Sequence, residues 1–119
     1  MEAVNLADKF ERIEEYWSPR IVGALNGQLV KLAKLKGEFV WHAHDAEDEL
    51  FLVMKGRLII KLRDRDVALE QGELAIVPRG VEHKPVAEQE AHVLLFEPQS
   101  TLHAGTTPTE KAVDTQEWI

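Results

Sequence analysis

The chain of 119 residues contains no cysteine. A protein without thiols has no disulfide framework, no zinc ribbon and no thiol catalysis, and its composition favours the reducing cytoplasm, where we expect it to act. No apolar run approaches the roughly 20 residues that span a bilayer. The acidic, amphipathic N-terminus resembles neither a signal peptide nor a transit peptide. We therefore expect no membrane association.

Positive charge is also in short supply, because 14 Lys and Arg residues face 21 Asp and Glu residues, for a net charge of -7. A surface this acidic repels phosphate backbones, so nucleic acid is not an expected partner. The remaining composition, 45% hydrophobic and 29% charged, is that of an ordinary globular protein. The length suits a single domain over residues 1–119 with one core.

A short helix is predicted at residues 5–17. Asn5 is a suitable N-cap, and Pro19 follows the end of the pattern. The apolar residues of the segment recur at steps of four, three and four, which places them on one helical stripe: Leu6, Phe10, Ile13 and Trp17. We expect this stripe to pack on the domain.

After residue 19 the hydrophobic period becomes strand-like. Short segments rich in Val, Ile, Leu and Phe alternate with turn signals, which indicates an all-β sandwich or barrel over residues 20–97. Lys55-Gly56 predicts a two-residue hairpin turn. Residues 98–119 form a polar tail whose apolar end we expect to dock on the domain. The predicted strands are Arg20–Leu25, Gln28–Leu35, Phe39–His44, Glu49–Lys55, Arg57–Leu62, Val67–Leu69, Leu74–Val77, Lys84–Val86 and Ala91–Glu97.

Two histidines one residue apart mark the most informative segment of the sequence. Within a strand His42 and His44 would share one face and aim two imidazoles at one point. Glu49 opens the next apolar strand, where an antiparallel neighbour can bring its carboxylate beside the pair, and His83 follows a Pro-x-Gly turn further on. Three imidazoles and a carboxylate suit one divalent Mn, Fe, Co, Ni, Cu or Zn ion, with open positions for water or substrate. The acids between the histidines and Glu49 are expected to form a solvated turn: Asp45, Glu47 and Asp48.

These residues resemble the two motifs of the cupin superfamily. The first motif corresponds to Gly37-x4-His42-x-His44-x4-Glu49-x6-Gly56, with four residues in place of the usual five after the first glycine. The second corresponds to Gly72-x5-Pro78-x-Gly80-x2-His83. The resemblance implies a cupin-type jelly-roll β-barrel in which His42, His44, Glu49 and His83 bind one metal ion. It departs from the family at Ala87, where cupins often carry an asparagine that supports the cavity.

The residues around the four candidate ligands predict a largely apolar cavity. Counting by twos along the strands places Val40, Phe51 and Val53 inside with the ligands, and Leu58, Ile60 and Leu62 form one apolar face of the following strand. The opposite faces are apolar as well, which predicts that they are covered on the outside too. We expect the N-terminal helix to cover one patch and a second copy of the chain, in a homodimer, to cover another. The candidate interface residues are Phe39, Trp41, Leu50, Leu52 and Met54.

The candidate site supports two classes of function. One is a metal-dependent enzyme, an oxygenase or an isomerase or lyase, acting on a small molecule in the barrel. The other is a non-catalytic protein that binds a metal or a small ligand; the same four residues could also persist in a barrel that binds no metal. Short cupins of this kind are often described as mannose-6-phosphate-isomerase-like, an activity that we do not infer.

His92 is expected to be a satisfied core histidine or part of the cavity wall, and His103 a surface residue. His92 and Tyr16 are the nearest candidates for a general base.

Overall fold

The computed structural model describes residues 1–101, 103–105, 107, 109 and 116–119. In this part of the chain a single short helix precedes seven strands. Their bounds are α1 Leu6–Glu11, β1 Arg20–Leu25, β2 Gln28–Glu38, β3 Glu49–Lys55, β4 Arg57–Leu62, β5 Asp66–Glu70, β6 Leu74–Val77 and β7 His83–Pro98. The all-β prediction is confirmed.

The long strand β7 organises the antiparallel sheet. Its neighbours follow the order β1-β2-β7-β3-β6, and β4 also pairs with β7 while carrying β5 on its other edge. The sequence pattern predicted two strands, Lys84–Val86 and Ala91–Glu97, where β7 runs without a break. The polar residues between them, 88–90, are exposed, and they are part of one continuous strand and do not form a loop.

The core lies between the inward faces of these strands. The buried cluster includes Phe51, Val53, Leu58 and Ile60, which confirms the predicted inward faces of β3 and β4, whereas Val40, also predicted inside, is only half-buried. Burial of such side chains is worth about 25 cal/mol per Å² of apolar surface removed from water, and it is the main contribution that favours folding. Ala87, at the position where cupins often have an asparagine, is fully buried in this cluster.

The predicted hairpin at Lys55-Gly56 is wrong. The strands on either side of it do not pair with each other; both pair with β7, one after the other along the same edge. Gly56, with φ of 86°, lies at the kink between them, where a Cβ atom would approach the carbonyl oxygen of Glu90 to 2.8 Å. Glycine is needed here because the backbones pass so closely and because φ is positive.

The N-terminal helix is shorter than predicted. Asn5 caps it as expected, since its side chain accepts a hydrogen bond from the backbone N–H of Asp8. The helix ends at Glu11, and Trp17 has a φ of 57°, so the predicted stripe is helical only in its first half. Phe10 and Ile13 form a second buried cluster, which covers the outer face of the sheet as expected.

The C-terminal residues lie partly within the described structure. Trp118 forms a bridge beside Ile21 of β1, and the backbone N–H of Ile21 donates to the carbonyl oxygen of Glu117. The prediction that the end of the chain docks on the domain is therefore confirmed for these residues, while most of residues 106–115 lie outside the described part. None of the helices in the described part has the length and hydrophobicity needed to cross a bilayer.

Candidate metal centre

The segment that carries the first two histidines is not the regular strand predicted at Phe39–His44. It runs beside β7 with a change of register: Gly37 lies opposite Ala87, whereas His42 lies opposite His83. From Gly37 to His42 the chain advances five residues, whereas from Ala87 to His83 it advances four. The segment with the histidines therefore contains one extra residue, as in a β-bulge. The extra residue shifts the alternation of side chains between the two faces of the strand. Phe39, predicted to lie on the face opposite the histidines, is therefore buried on the cavity side.

Backbone hydrogen bonds hold this segment in place. The N–H of His42 donates to the carbonyl oxygen of His83 at 3.0 Å, and the N–H of His83 donates back at 2.9 Å. At the turn after β6, the N–H of Gly80 donates to the carbonyl oxygen of His44 at 2.8 Å. The two sequence motifs are thereby joined through their backbones.

Two of the imidazoles are oriented by carbonyl groups two residues before them. Nδ1 of His42 lies 2.8 Å from the carbonyl oxygen of Val40, and Nδ1 of His83 lies 2.9 Å from that of Val81. A carbonyl only accepts, so each Nδ1 carries the proton and each Nε2 keeps its lone pair. A histidine that ligates a metal through one ring nitrogen usually donates a hydrogen bond from the other, and here Nδ1 is the donor while Nε2 is left for the site.

The structure brings all four predicted ligands together. One potential ligand atom from each of His42, His44, Glu49 and His83 lies within 4.8 Å of the others, and all four side chains are buried. Oε1 of Glu49 lies 3.4 Å from Nε2 of both His44 and His83. Among the described residues these buried atoms have no hydrogen-bond partner. Buried polar atoms are rarely left so, and their common focus fits a metal ion.

The electrostatics of the cluster also suit a cation. Burial, and then the neighbouring His83, lower the pKa of His42 to about 4, so the ring is neutral and able to ligate near neutral pH. Burial opposes ionisation of Glu49, but its contacts with Glu97, His44 and His83 outweigh that effect and hold its pKa well below the ordinary value. His42 and Glu49 therefore present a neutral imidazole and a carboxylate anion to the site.

Two charged residues behind Glu49 were missed by the sequence reasoning. Lys31 and Glu97 are buried, and Nζ of Lys31 donates to Oε1 of Glu97 at 2.8 Å. Burial, and then the negative charge of Glu49, raise the pKa of Glu97 well above its ordinary value. The alternation that identified Val53 would also have placed these two residues inside, because Lys31 precedes the buried Ala33 by two positions and Glu97 follows the buried Leu95 by two.

A small cavity of about 30 Å³ adjoins the cluster, enough for one or two water molecules. Three rings line it in sequence: Trp17 stacks on Phe39 with centroids 5.1 Å apart, and Phe39 packs on His103 at 4.7 Å. His103 is therefore part of the cavity wall and not the simple surface residue that was expected. No periodic signal in the polar tail could have indicated this.

The remaining candidate residues lie elsewhere. His92 is half-buried under α1, where it stacks on Phe10 and bonds Glu90 through Nε2 at 2.8 Å; it is a satisfied histidine and not part of the cavity wall. Tyr16 donates to the same carboxylate of Glu90 on the outside. Neither residue reaches the candidate metal site. Of the turn before Glu49, Asp45 and Asp48 are exposed, as predicted.

Comparison with known proteins gives a match over most of the barrel. The profile of the Cupin domain family covers residues 28–97. The chain belongs to the cupin family. A crystal structure of a cupin-2 domain containing protein from Shewanella frigidimarina NCIMB 400 is 45% identical, with a TM-score of 0.79 over 80% of this chain and 93% of that one.

Two curated relatives were also found. The uncharacterized protein YdbB of Bacillus subtilis (strain 168) is 32% identical over 81 residues, which cover 67% of this chain and 72% of that protein. The tetracenomycin polyketide synthase protein TcmJ of Streptomyces glaucescens is 32% identical over 68 residues, which cover 56% of this chain but only 46% of TcmJ. The matches support the cupin fold and name no specific activity for this chain.

Proposed function

We propose that this cupin is a metal-dependent enzyme that acts on a small, largely apolar molecule, as an oxygenase or as an isomerase or lyase. The observation that carries the proposal is the convergence of four buried ligand atoms within 4.8 Å beside an apolar cavity. The donor set suits one divalent Fe, Mn, Ni, Co, Cu or Zn ion. Such an ion would supply Lewis acidity or redox chemistry at its open coordination positions.

The protein residues have distinct roles in this proposal. His42 and His83 hold their Nδ1 protons on backbone carbonyls, which keeps both Nε2 lone pairs directed at the site. Glu49 contributes the only anionic group among the proposed ligands and lowers the net charge of a bound divalent ion to about +1. The buried surroundings exclude water and strengthen these electrostatic interactions.

A flat apolar molecule is the substrate class that the cavity favours. The wall formed by Trp17, Phe39 and His103 is aromatic, and aromatic side chains pack well against flat apolar rings. A phosphorylated sugar would need several inward cations, whereas the buried Lys31 is already paired with Glu97. The name of the relative TcmJ, a tetracenomycin polyketide synthase protein, supports testing phenols and small diketones first.

The small volume of the cavity favours a second candidate function. About 30 Å³ holds one or two water molecules, so a larger molecule enters only if part of the wall moves. A protein that binds a metal ion without turnover needs no such opening. We therefore keep a non-catalytic metal-binding or ligand-binding role as the alternative.

Replacement of Glu49 by Gln separates enzyme from binder. The substitution keeps an oxygen ligand of similar size and removes the charge, so a catalytic ion becomes a stronger Lewis acid with altered redox properties. With metal resupplied to full occupancy, turnover should still differ from wild type. The assay is oxygen consumption and product detection over phenols, diketones, thiols and keto-sugars, with Asp45→Asn as the control for loss of one exposed charge on the same loop.

Either role has a clear outcome in this assay. A change of turnover in Glu49→Gln and not in Asp45→Asn supports the enzyme. If no compound turns over with any of the proposed metals, while compounds still bind the metal-loaded protein, the binding-protein alternative replaces it.

We further propose that the protein forms a homodimer in the cytoplasm through the outer face of β3 and β6. Leu50 lies opposite Ile76 and Leu52 opposite Leu74, and the two β6 residues are 58% and 54% exposed. An apolar edge strand is a natural site for self-association. Of the earlier candidates, Phe39 is buried in the barrel and Met54 packs under α1, so neither contributes to this surface.

A further inference from the structure

Two carboxyl groups face each other inside the barrel. Leu50 of β3 lies opposite Phe96 of β7, and one further step along each strand places Glu49 opposite Glu97. Both side chains are buried, and burial together with the nearby Glu49 carboxylate raises the pKa of Glu97. Like charges directly opposite each other in a sheet are destabilising, so this arrangement needs a compensating feature.

Lys31 supplies the compensation on one side. It lies diagonally from Glu97 across β2 and β7, since Leu29 is the residue opposite Glu97, and its Nζ atom reaches Oε1 of Glu97 at 2.8 Å. The second oxygen of Glu97 has no hydrogen-bond partner among the described residues. The result is a row across three neighbouring strands: Lys31, Glu97 and Glu49.

Stability alone does not explain this row. Taking a lysine and a carboxylate out of water costs several kcal/mol per ion, and apolar replacements of similar volume are often neutral or stabilising. Lys31 is only 2% exposed and Glu97 only 3%, so neither keeps its charge in solvent. A buried ion pair that lies opposite a proposed metal ligand in the sheet, and that stability does not require in principle, is a candidate for a role at the site.

We propose that Glu97, held by Lys31, is a positioning residue for Glu49: it fixes the orientation of the Glu49 carboxylate and thereby sets the affinity and geometry of the metal centre. Glu97 lies opposite Glu49 on the neighbouring strand, and its hydrogen bond from Lys31 holds Glu97 in that position. This inference rests on the proposed metal binding. In this proposal Lys31 and Glu97 support one of the four ligands, Glu49, from the neighbouring strands.

The test compares an apolar replacement of the pair with a conservative one. Lys31→Met together with Glu97→Leu removes both buried polar groups and fills the space, so the metal-free protein should melt at or above the wild-type temperature. Its dissociation constant for Co²⁺ should rise about 10- to 100-fold, as for loss of other supporting contacts, and the visible Co²⁺ spectrum should change. Glu97→Gln keeps an N–H donor for Glu49 and an oxygen for Lys31, and should stay within about threefold of wild type.

A core variant away from the site completes the design. Leu58→Val, in the buried cluster on β4, lowers stability without touching Glu49, and its Co²⁺ spectrum should match wild type. If the Lys31→Met, Glu97→Leu protein has wild-type Co²⁺ affinity and spectrum, the pair has no positioning role and the inference is overturned. If the double variant does not fold, Lys31→Met alone decides, because it removes the contact that holds Glu97: wild-type Co²⁺ affinity and spectrum in that folded protein overturn the inference. Failure of wild-type protein to bind Co²⁺ at all would refute the proposed metal function itself.

Discussion

His42 and His83 exchange two backbone hydrogen bonds, of 3.0 and 2.9 Å, so the protein backbone alone joins the two cupin motifs. Each of these histidines also has its Nδ1 atom on a carbonyl oxygen. The ligand cluster is thus preorganised by the barrel. We expect the metal-free protein to remain folded at neutral pH, which allows the site to be studied in both forms.

The buried ring of His42 predicts a pH dependence of stability. Its pKa is about 4 in the fold, below the value of about 6.5 expected in the unfolded chain. The unfolded chain therefore takes up a proton first as pH falls, and stability present above pH 6.5 is lost on the way down to pH 4. The shift corresponds to about 3 kcal/mol of unfolding free energy.

The measurement is urea unfolding of chelated protein across this range. His42→Gln should show a flatter pH profile between pH 6.5 and 4 than wild type. Because other groups also titrate, the difference between the two profiles is the test. Parallel profiles would mean that His42 is not held neutral by the fold.

Gly105 predicts a tight contact between the C-terminal segment and the ligand loop. A Cβ atom there would lie 2.0 Å from the carbonyl oxygen of Ala43, and its φ is +57°. Gly105→Ala should therefore displace the residue between His42 and His44 and weaken metal binding by about tenfold. Gly27→Ala is the control, because Gly27 has a φ of +78° with nothing within 4 Å.

Calorimetric titration with Co²⁺ distinguishes the two glycine variants. Gly27→Ala should cost about 1 kcal/mol of stability through its backbone alone and leave the metal affinity unchanged. Equal affinities in both variants would show that the contact of Gly105 with Ala43 does not constrain the ligands.

The proposed dimer predicts that a charge on β6 separates the subunits. Ile76→Lys introduces a cation on the exposed apolar face twice per symmetric dimer, which should weaken self-association about 100-fold or more. Ala68→Lys places the same charge on exposed β5, away from that face, and should leave the dimer intact. Sedimentation velocity at micromolar concentration reports the outcome; a monomeric wild-type protein would contradict the proposal.

The sequence was sufficient for the parts of the fold that depend on regular alternation. Phe51, Val53, Leu58 and Ile60 were placed inside by counting, and they are buried. The four candidate ligands were found because their residue types and spacing are specific to the cupin motifs. These features are encoded locally, by the period of a strand or by a short motif.

The errors arose where tertiary contacts override the local pattern. One extra residue before His42 moved Phe39 to the inside, and no composition signal marks such a bulge. Gly56 reads as a hairpin turn, but its neighbours both pair with β7. Alternation with Ala33 places Lys31 inside the barrel, but a buried lysine needs a partner, and its partner Glu97 lies on another strand far along the chain.

Elemental analysis of protein purified without a His-tag or added metal tests whether the four proposed ligands bind an ion. Wild-type protein should contain one divalent transition metal ion per chain, His42→Ala together with His44→Ala should contain none, and His92→Ala, outside the barrel, should match wild type. Two results would contradict metal binding at this site. One is retention of the ion at wild-type stoichiometry in the His42→Ala, His44→Ala protein. The other is a wild-type protein that takes up no ion even when each proposed metal is supplied.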